Sequence, residues 1–152
     1  MSTALKSLHI LGVCLFVGNI IVSAFWKVLA DRTNNYFVIR FATRLVNVTD
    51  TVFTGVGATL LLVTGHLLAG SYGGILSNDW ILWSYVLFGI SGAIWLAVLV
   101  PIQFKQAKML RMSSIEEIPG EYYRLARMWS LAGILATLFP LPAVYLMVSK
   151  GA

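Results

Sequence analysis

His9 and His66 are the only histidines in the chain, and each lies inside a long apolar run, where an ionisable ring is costly and usually faces a partner. Two imidazoles held between neighbouring helices are the donor set of a bis-histidine b-type haem. The first run leads inward from about residue 5 and the second leads back out to about residue 70. Both rings then fall roughly one turn, or ~5 Å, below the same surface. The sequence thus predicts haem b between them, with His9 and His66 as axial ligands. Gly12 follows His9 on one helical face and Gly70 follows His66, so backbone can approach the haem planes. Phe16 and Thr59 extend those faces and line the slot. Lys6 or Lys150 pairs with a propionate, and Tyr72, Trp80 and Trp83 form the rim. Other assignments stay open: a single-histidine haem or metal site, copper on His9, His66 and Met147, a hydrogen bond to a neighbouring helix, or His66 turned to the headgroups.

A second set of polar residues lies deeper. Asn19 and Ser23 share a face with Phe16 on the first helix, and Asp50 and Thr54 stand near the inner end of the second. In an antiparallel hairpin these groups meet. The sequence offers two roles for them, a clamp in which Asp50 pairs with Lys27 or Arg44, and a proton relay or substrate site built on Asn19 and Asp50.

Four charge-free runs carry these residues, at 7–26, 51–78, 80–104 and 128–149. About 20 apolar residues cross a bilayer core, so each run is long enough. The prediction is an all-α integral membrane protein: one domain over 1–152, a four-helix up-down bundle with helices at about 5–29, 37–70, 80–110 and 120–149. Helices 2 and 4 extend into the cytoplasm. Of 152 residues, 59% are hydrophobic and 11% charged, against about 25% charged in soluble domains. Overlapping capping boxes at 113–117 and Pro119 point to the start of the fourth helix. Pro101, Pro140 and Pro142 should kink the helices that hold them.

Eleven Lys and Arg residues give a formal charge of +5, yet they are not spread as a nucleic-acid surface would require. All but Lys6 and Lys150 fall between the first and second runs or between the third and fourth. The positive-inside rule assigns that side to the cytoplasm and both termini to the other. Nucleic acid is excluded as a partner; the lipid bilayer is the expected one. Cys14, the single cysteine, reads as an inert buried thiol. The first run mimics a signal peptide, but the anchor Phe25-Trp26-Lys27 marks it as a retained helix. No phosphate loop, nucleophile triad or zinc signature is present.

The segments Leu5-Lys6-x-Leu8-His9-Ile10 and Phe25-Trp26-Lys27-x-x-Ala30-Asp31-Arg32-Thr33, with Thr49-Asp50-x-x-Phe53-Thr54 and Thr64-Gly65, resemble a family of small bacterial integral membrane proteins of unknown function. That likeness implies a four-helix bundle in the bacterial inner membrane and no assigned activity. Lys6-x-Leu8-His9-Ile10 also resembles the first helix of HemJ-type protoporphyrinogen oxidases and of CopD-like membrane proteins. That likeness implies haem b held by His9. HemJ-type enzymes also rely on a lysine in a later helix; here the third helix has only Lys105, at its inner end.

The leading expectation is a haem-binding membrane protein that transfers electrons or oxidises a small hydrophobic or porphyrin-like substrate, working with a redox partner. The rival is a non-catalytic membrane subunit or small transporter with structural histidines. A homodimer suits either.

Overall fold

The computed structural model describes residues 3–113 and 117–150. Four long apolar helices account for almost all of them: α1 (Thr3–Arg32), α2 (Tyr36–Gly70), α3 (Asp79–Met112) and α4 (Gly120–Ser149). The 30 residues of α1 extend about 45 Å, beyond the ~30 Å of a bilayer core. Asn35 caps α2 by accepting from the backbone N–H groups of Phe37 and Val38, and Gly73 and Gly74 turn the chain at positive φ after α2. The predicted capping boxes fall partly on residues 114–116, outside the described residues.

Large apolar side chains cover the outside of every helix. Ile10, Ile21 and Phe25 on α1, Val63 and Leu67 on α2, Leu96 on α3 and Leu131 on α4 are all exposed. Water would not tolerate so continuous an apolar surface, whereas lipid does. Cys14 is exposed among them, not buried, because its helical position turns it away from α2.

Proline shapes two helices. Pro101 has no N–H to give the carbonyl one turn back, and its ring crowds that carbonyl. The five residues Trp95–Leu99 ahead of it widen into a π-helical turn. Pro140 acts likewise on α4, where the regular helix ends at Leu138 and resumes at Pro140. A second π turn, Asp50–Thr54, interrupts α2 without proline; the Gly55 N–H reaches back five residues to the Asp50 carbonyl.

The helices pack as two antiparallel pairs, α1 with α2 and α3 with α4. At the end that carries most of the Lys and Arg residues, here the basic end, the pairs also pack on each other, α2 against α3 and α1 against α4. Two apolar clusters pack that half, one around Val46, Leu99, Ile102 and Trp129, the other around Tyr36, Ile39, Leu110 and Tyr122. At the opposite end the pairs part. Gly12 and Gly57 set the closest approach of α1 to α2: a Cβ on Gly57 would stand 2.7 Å from the Phe16 nitrogen and 3.0 Å from the Gly12 carbonyl oxygen.

Candidate functional site

The parting of the two pairs opens a cavity of about 500 Å³, lined by residues of all four helices. That volume is typical of small-molecule sites. Its walls are apolar and aromatic, with Phe16 from α1, Leu61 from α2, Tyr85 and Phe88 from α3 and Met147 from α4. Tyr72 and Trp80 pack edge to face at 5.3 Å near the mouth, where Lys6 and Lys150 also line the space.

His9 is the principal polar group inside. Its Nδ1 lies 2.9 Å from Thr64 Oγ1, and Thr64 in turn donates its hydroxyl hydrogen to the Leu60 carbonyl at 2.5 Å. With that hydrogen committed, Thr64 must accept, so Nδ1 of a neutral ring carries the proton. The lone pair then belongs to Nε2. Nε2 faces the Met147 sulfur at 3.3 Å. A thioether has no hydrogen to give, so two electron-pair donors converge on one point inside the cavity. Gly65 makes room for the ring, since a Cβ there would meet His9 Cε1 at 3.3 Å and the Tyr85 hydroxyl at 3.6 Å. That Tyr85 hydroxyl is buried without a hydrogen-bond partner among the described residues.

The structure does not bring His66 to this place. His66 is exposed on α2 and does not line the cavity. Thr64 and Gly65 occupy the inward face, and two further residues turn a helix by roughly 200°. The paired-imidazole geometry is therefore corrected: depth matches, direction does not. Gly12 is also reassigned, since it packs against Gly57 and is not among the cavity residues. Gly70 is exposed with nothing near it, and Thr59 and Trp83 are exposed as well. His9, Phe16 and Lys6 do line the cavity.

A second polar centre lies towards the basic end. Asp50 Oδ1 accepts from Asn19 Nδ2 at 2.7 Å and, at 3.4 Å each, from the Ser23 and Thr54 hydroxyls. Its Oδ2 accepts from Gln103 Nε2 at 2.5 Å. Asn19 also donates to Thr54 at 2.9 Å. Three helices therefore converge on one buried carboxylate. Asp50 pairs with neither Lys27 nor Arg44: Lys27 turns the other way, and Arg44 is exposed.

Lys27 anchors a third group. It is 1% exposed, lies 3.4 Å from Asp31 and donates to the Tyr122 hydroxyl at 2.5 Å, which donates to Asp31 at 2.6 Å. Thr43 stands 3.4 Å from the same hydroxyl. The Lys27 charge also sits over the Tyr122 ring, 4.7 Å from its centroid.

Sequence reasoning passed over Gln103, Gln106, Tyr85 and Tyr122. Gln103 and Gln106 carried a usable signal, being two amides three residues apart, on one face at the end of an apolar run.

No curated protein and no solved structure matches the chain. A family profile described as "predicted integral membrane protein (DUF2269)" matches residues 3–151. With four membrane-length apolar helices and a match over nearly its whole length, the chain belongs to this family of predicted integral membrane proteins.

Proposed function

We propose that this protein binds a flat, apolar, acid-bearing ligand in the cavity between its two helix pairs. A b-type haem is the ligand whose chemistry the lining matches, and electron transfer is the function it would serve. By the positive-inside rule the basic end is cytoplasmic and the cavity lies in the outer half of the plasma membrane.

The observation that carries this reading is the convergence of His9 Nε2 and the Met147 sulfur at 3.3 Å in an apolar space. Nitrogen and thioether form the axial pair of some electron-transfer haems, one on each face, so the Met147 sulfur must draw back from its 3.3 Å contact before an iron could stand between them. Thr64 supplies the partner that orients a ligating imidazole. Met147 is unbranched and flexible, so its sulfur can shift to bind or make way for what stands beside Nε2. Aromatic walls suit a planar macrocycle, and Lys6 and Lys150 at the mouth suit its carboxylates. The Tyr85 hydroxyl, without a partner among the described residues, is a further donor for ligand. His66 has no part in this arrangement.

The test is the absorption spectrum of the purified protein before and after haem addition, oxidised and reduced. A Soret band lost in His9→Ala, altered in Met147→Leu and unchanged in His66→Ala is the expected result. A preparation that stays colourless after haem is added defeats the proposal.

A further inference from the structure

We infer that Asp50 is a proton-binding site inside the membrane, charged from the basic end along a line of polar side chains through Gln106, Tyr122 and Asp31. The reading is independent of what the outer-half cavity binds.

The position makes an unpaired charge expensive. Asp50 lies six residues, or about 9 Å of helix, beyond Arg44, the last cation of α2. It is buried and makes no ion pair among the described residues. A carboxylate so placed is met in one of two ways, by hydrogen bonds to its charge or by a proton.

The surroundings serve both states. Asn19 and Gln103 present N–H donors to the carboxylate, and either amide can turn over to present its oxygen instead. The hydroxyls of Ser23 and Thr54 also donate or accept. A purely structural clamp would be met best by a fixed cation, but the fold directs Lys27 to Asp31 and Tyr122. Ambivalent partners around a single carboxyl are what reversible protonation requires. Asp50 itself opens the π turn of α2, which no proline explains, a distortion frequent at working sites.

Gln106 marks the route. It follows Gln103 by one turn on the same face of α3, is 0% exposed and leaves both its Nε2 and Oε1 without partners among the described residues. A donor and an acceptor both free on one buried amide are the polar partners that a bridging water needs. Beyond it towards the basic end lies Leu110, whose carbonyl receives the Tyr36 hydroxyl. Across from that stretch, on α2, Thr43 meets Tyr122. From there the Tyr122 hydroxyl passes to Asp31 at 2.6 Å, and the Asp31 side chain is 18% exposed. On this reading a proton enters at Asp31 and Tyr122, and a water held on the free Gln106 amide bridges the remaining gap to the Asp50 cluster.

The step itself is simple: Asp50–COO⁻ takes one H⁺ to become Asp50–COOH, with no electron transferred. Other titratable groups on the packed elements are accounted for. Lys27, Asp31 and Tyr122 belong to the entry cluster, the Tyr36 hydroxyl is spent on the Leu110 carbonyl, and Arg32, Arg40, Arg44, Lys105, Lys108, Arg111, Glu121, Arg124 and Arg127 are exposed on the helix surfaces.

Infrared difference spectroscopy on the full chain in phosphatidylcholine nanodiscs, stepped in pH in H₂O and D₂O, tests the inference. The expected result is a carboxylic-acid C=O band that grows as pH falls and is absent in Asp50→Asn. In Gln106→Leu its deuterium exchange slows by about tenfold, a barrier increase of ~1.4 kcal/mol, with unchanged amplitude. Asn keeps the size of Asp and can still bond to Asn19 and Gln103. Should it not fold, ¹³C-aspartate labelling of the wild-type chain, compared with Asp31→Asn and Asp79→Asn, isolates the same band. No titrating band at Asp50, or a midpoint that follows sodium concentration instead of pH, overturns the proton site. Equal exchange rates in Gln106→Leu overturn the route.

Discussion

Lys27 of α1 points its ammonium at the Tyr122 hydroxyl of α4 from 2.5 Å, so the first and last helices are tied by a charge that never reaches the surface. Replacing Lys27 by Ala empties the space and leaves the Tyr122–Asp31 pair without its cation. A loss of about 3 kcal/mol is expected, at the low end for a broken buried pair because Asp31 is partly exposed. Tyr122→Phe keeps the ring under the charge and should cost about 1–2 kcal/mol. Unfolding in mixed detergent micelles measures both, and a Phe variant less stable than the Ala variant would contradict this ordering.

Gly57 and Gly70 sit in the same helix and should respond oppositely to the same change. Gly57→Ala forces a methyl group to within 2.7 Å of α1 backbone, and the helices must move apart at a cost of about 1–3 kcal/mol. Gly70→Ala meets nothing within 4 Å and should be neutral or stabilising by up to ~1 kcal/mol. Thermal denaturation of the two variants side by side is the check.

Thr64→Val removes the acceptor that fixes His9 Nδ1 while keeping the side-chain shape. Ligand affinity in the cavity should fall about 10–100-fold, the usual effect of losing the partner behind a ligating imidazole. Haem titration followed by absorbance reads this directly. Equal affinity in the variant would show that His9 does not need its tautomer held.

His66→Ala should leave both stability, within about 0.5 kcal/mol, and cavity binding unchanged, because the ring is exposed on the far face of α2. A variant that loses ligand while His9→Ala retains it would reverse the assignment of the two histidines.

Gln103→Leu withdraws the donor from Asp50 Oδ2. A hydrogen bond to a charged group is worth about 1.5–3 kcal/mol, and the loss should be largest at high pH and smaller once Asp50 is protonated. Denaturation at several pH values resolves the two.

The sequence carried the four helices because a continuous run of ~20 apolar residues has few other readings. It also placed Asn19 and Ser23 opposite Asp50 and Thr54, since four-residue spacing on facing helices survives any modest error in register. The histidines show the limit. Depth grows by 1.5 Å per residue and forgives an error of two positions, but direction changes by about 100° per residue and does not. Depth alone relates His66 to His9, whereas the residue that faces His9 is Thr64. The Gln103–Asp50 contact was hidden for a different reason. It depends on how α3 sits against α2, and neither helix states in its own pattern which neighbour it will meet.

The widened turn at Asp50–Thr54 holds one residue more than an ordinary helical turn, so it acts as a spacer between two independently phased halves of α2. Deleting a single residue within it would close the turn to normal pitch and leave Thr64 still opposite His9. The same deletion a few positions further on, between Gly57 and Thr64, has no slack to draw on and would swing Thr64 and Gly65 away from α1. A one-residue deletion inside the membrane part of this helix should therefore be tolerated best at Thr51, Val52 or Phe53.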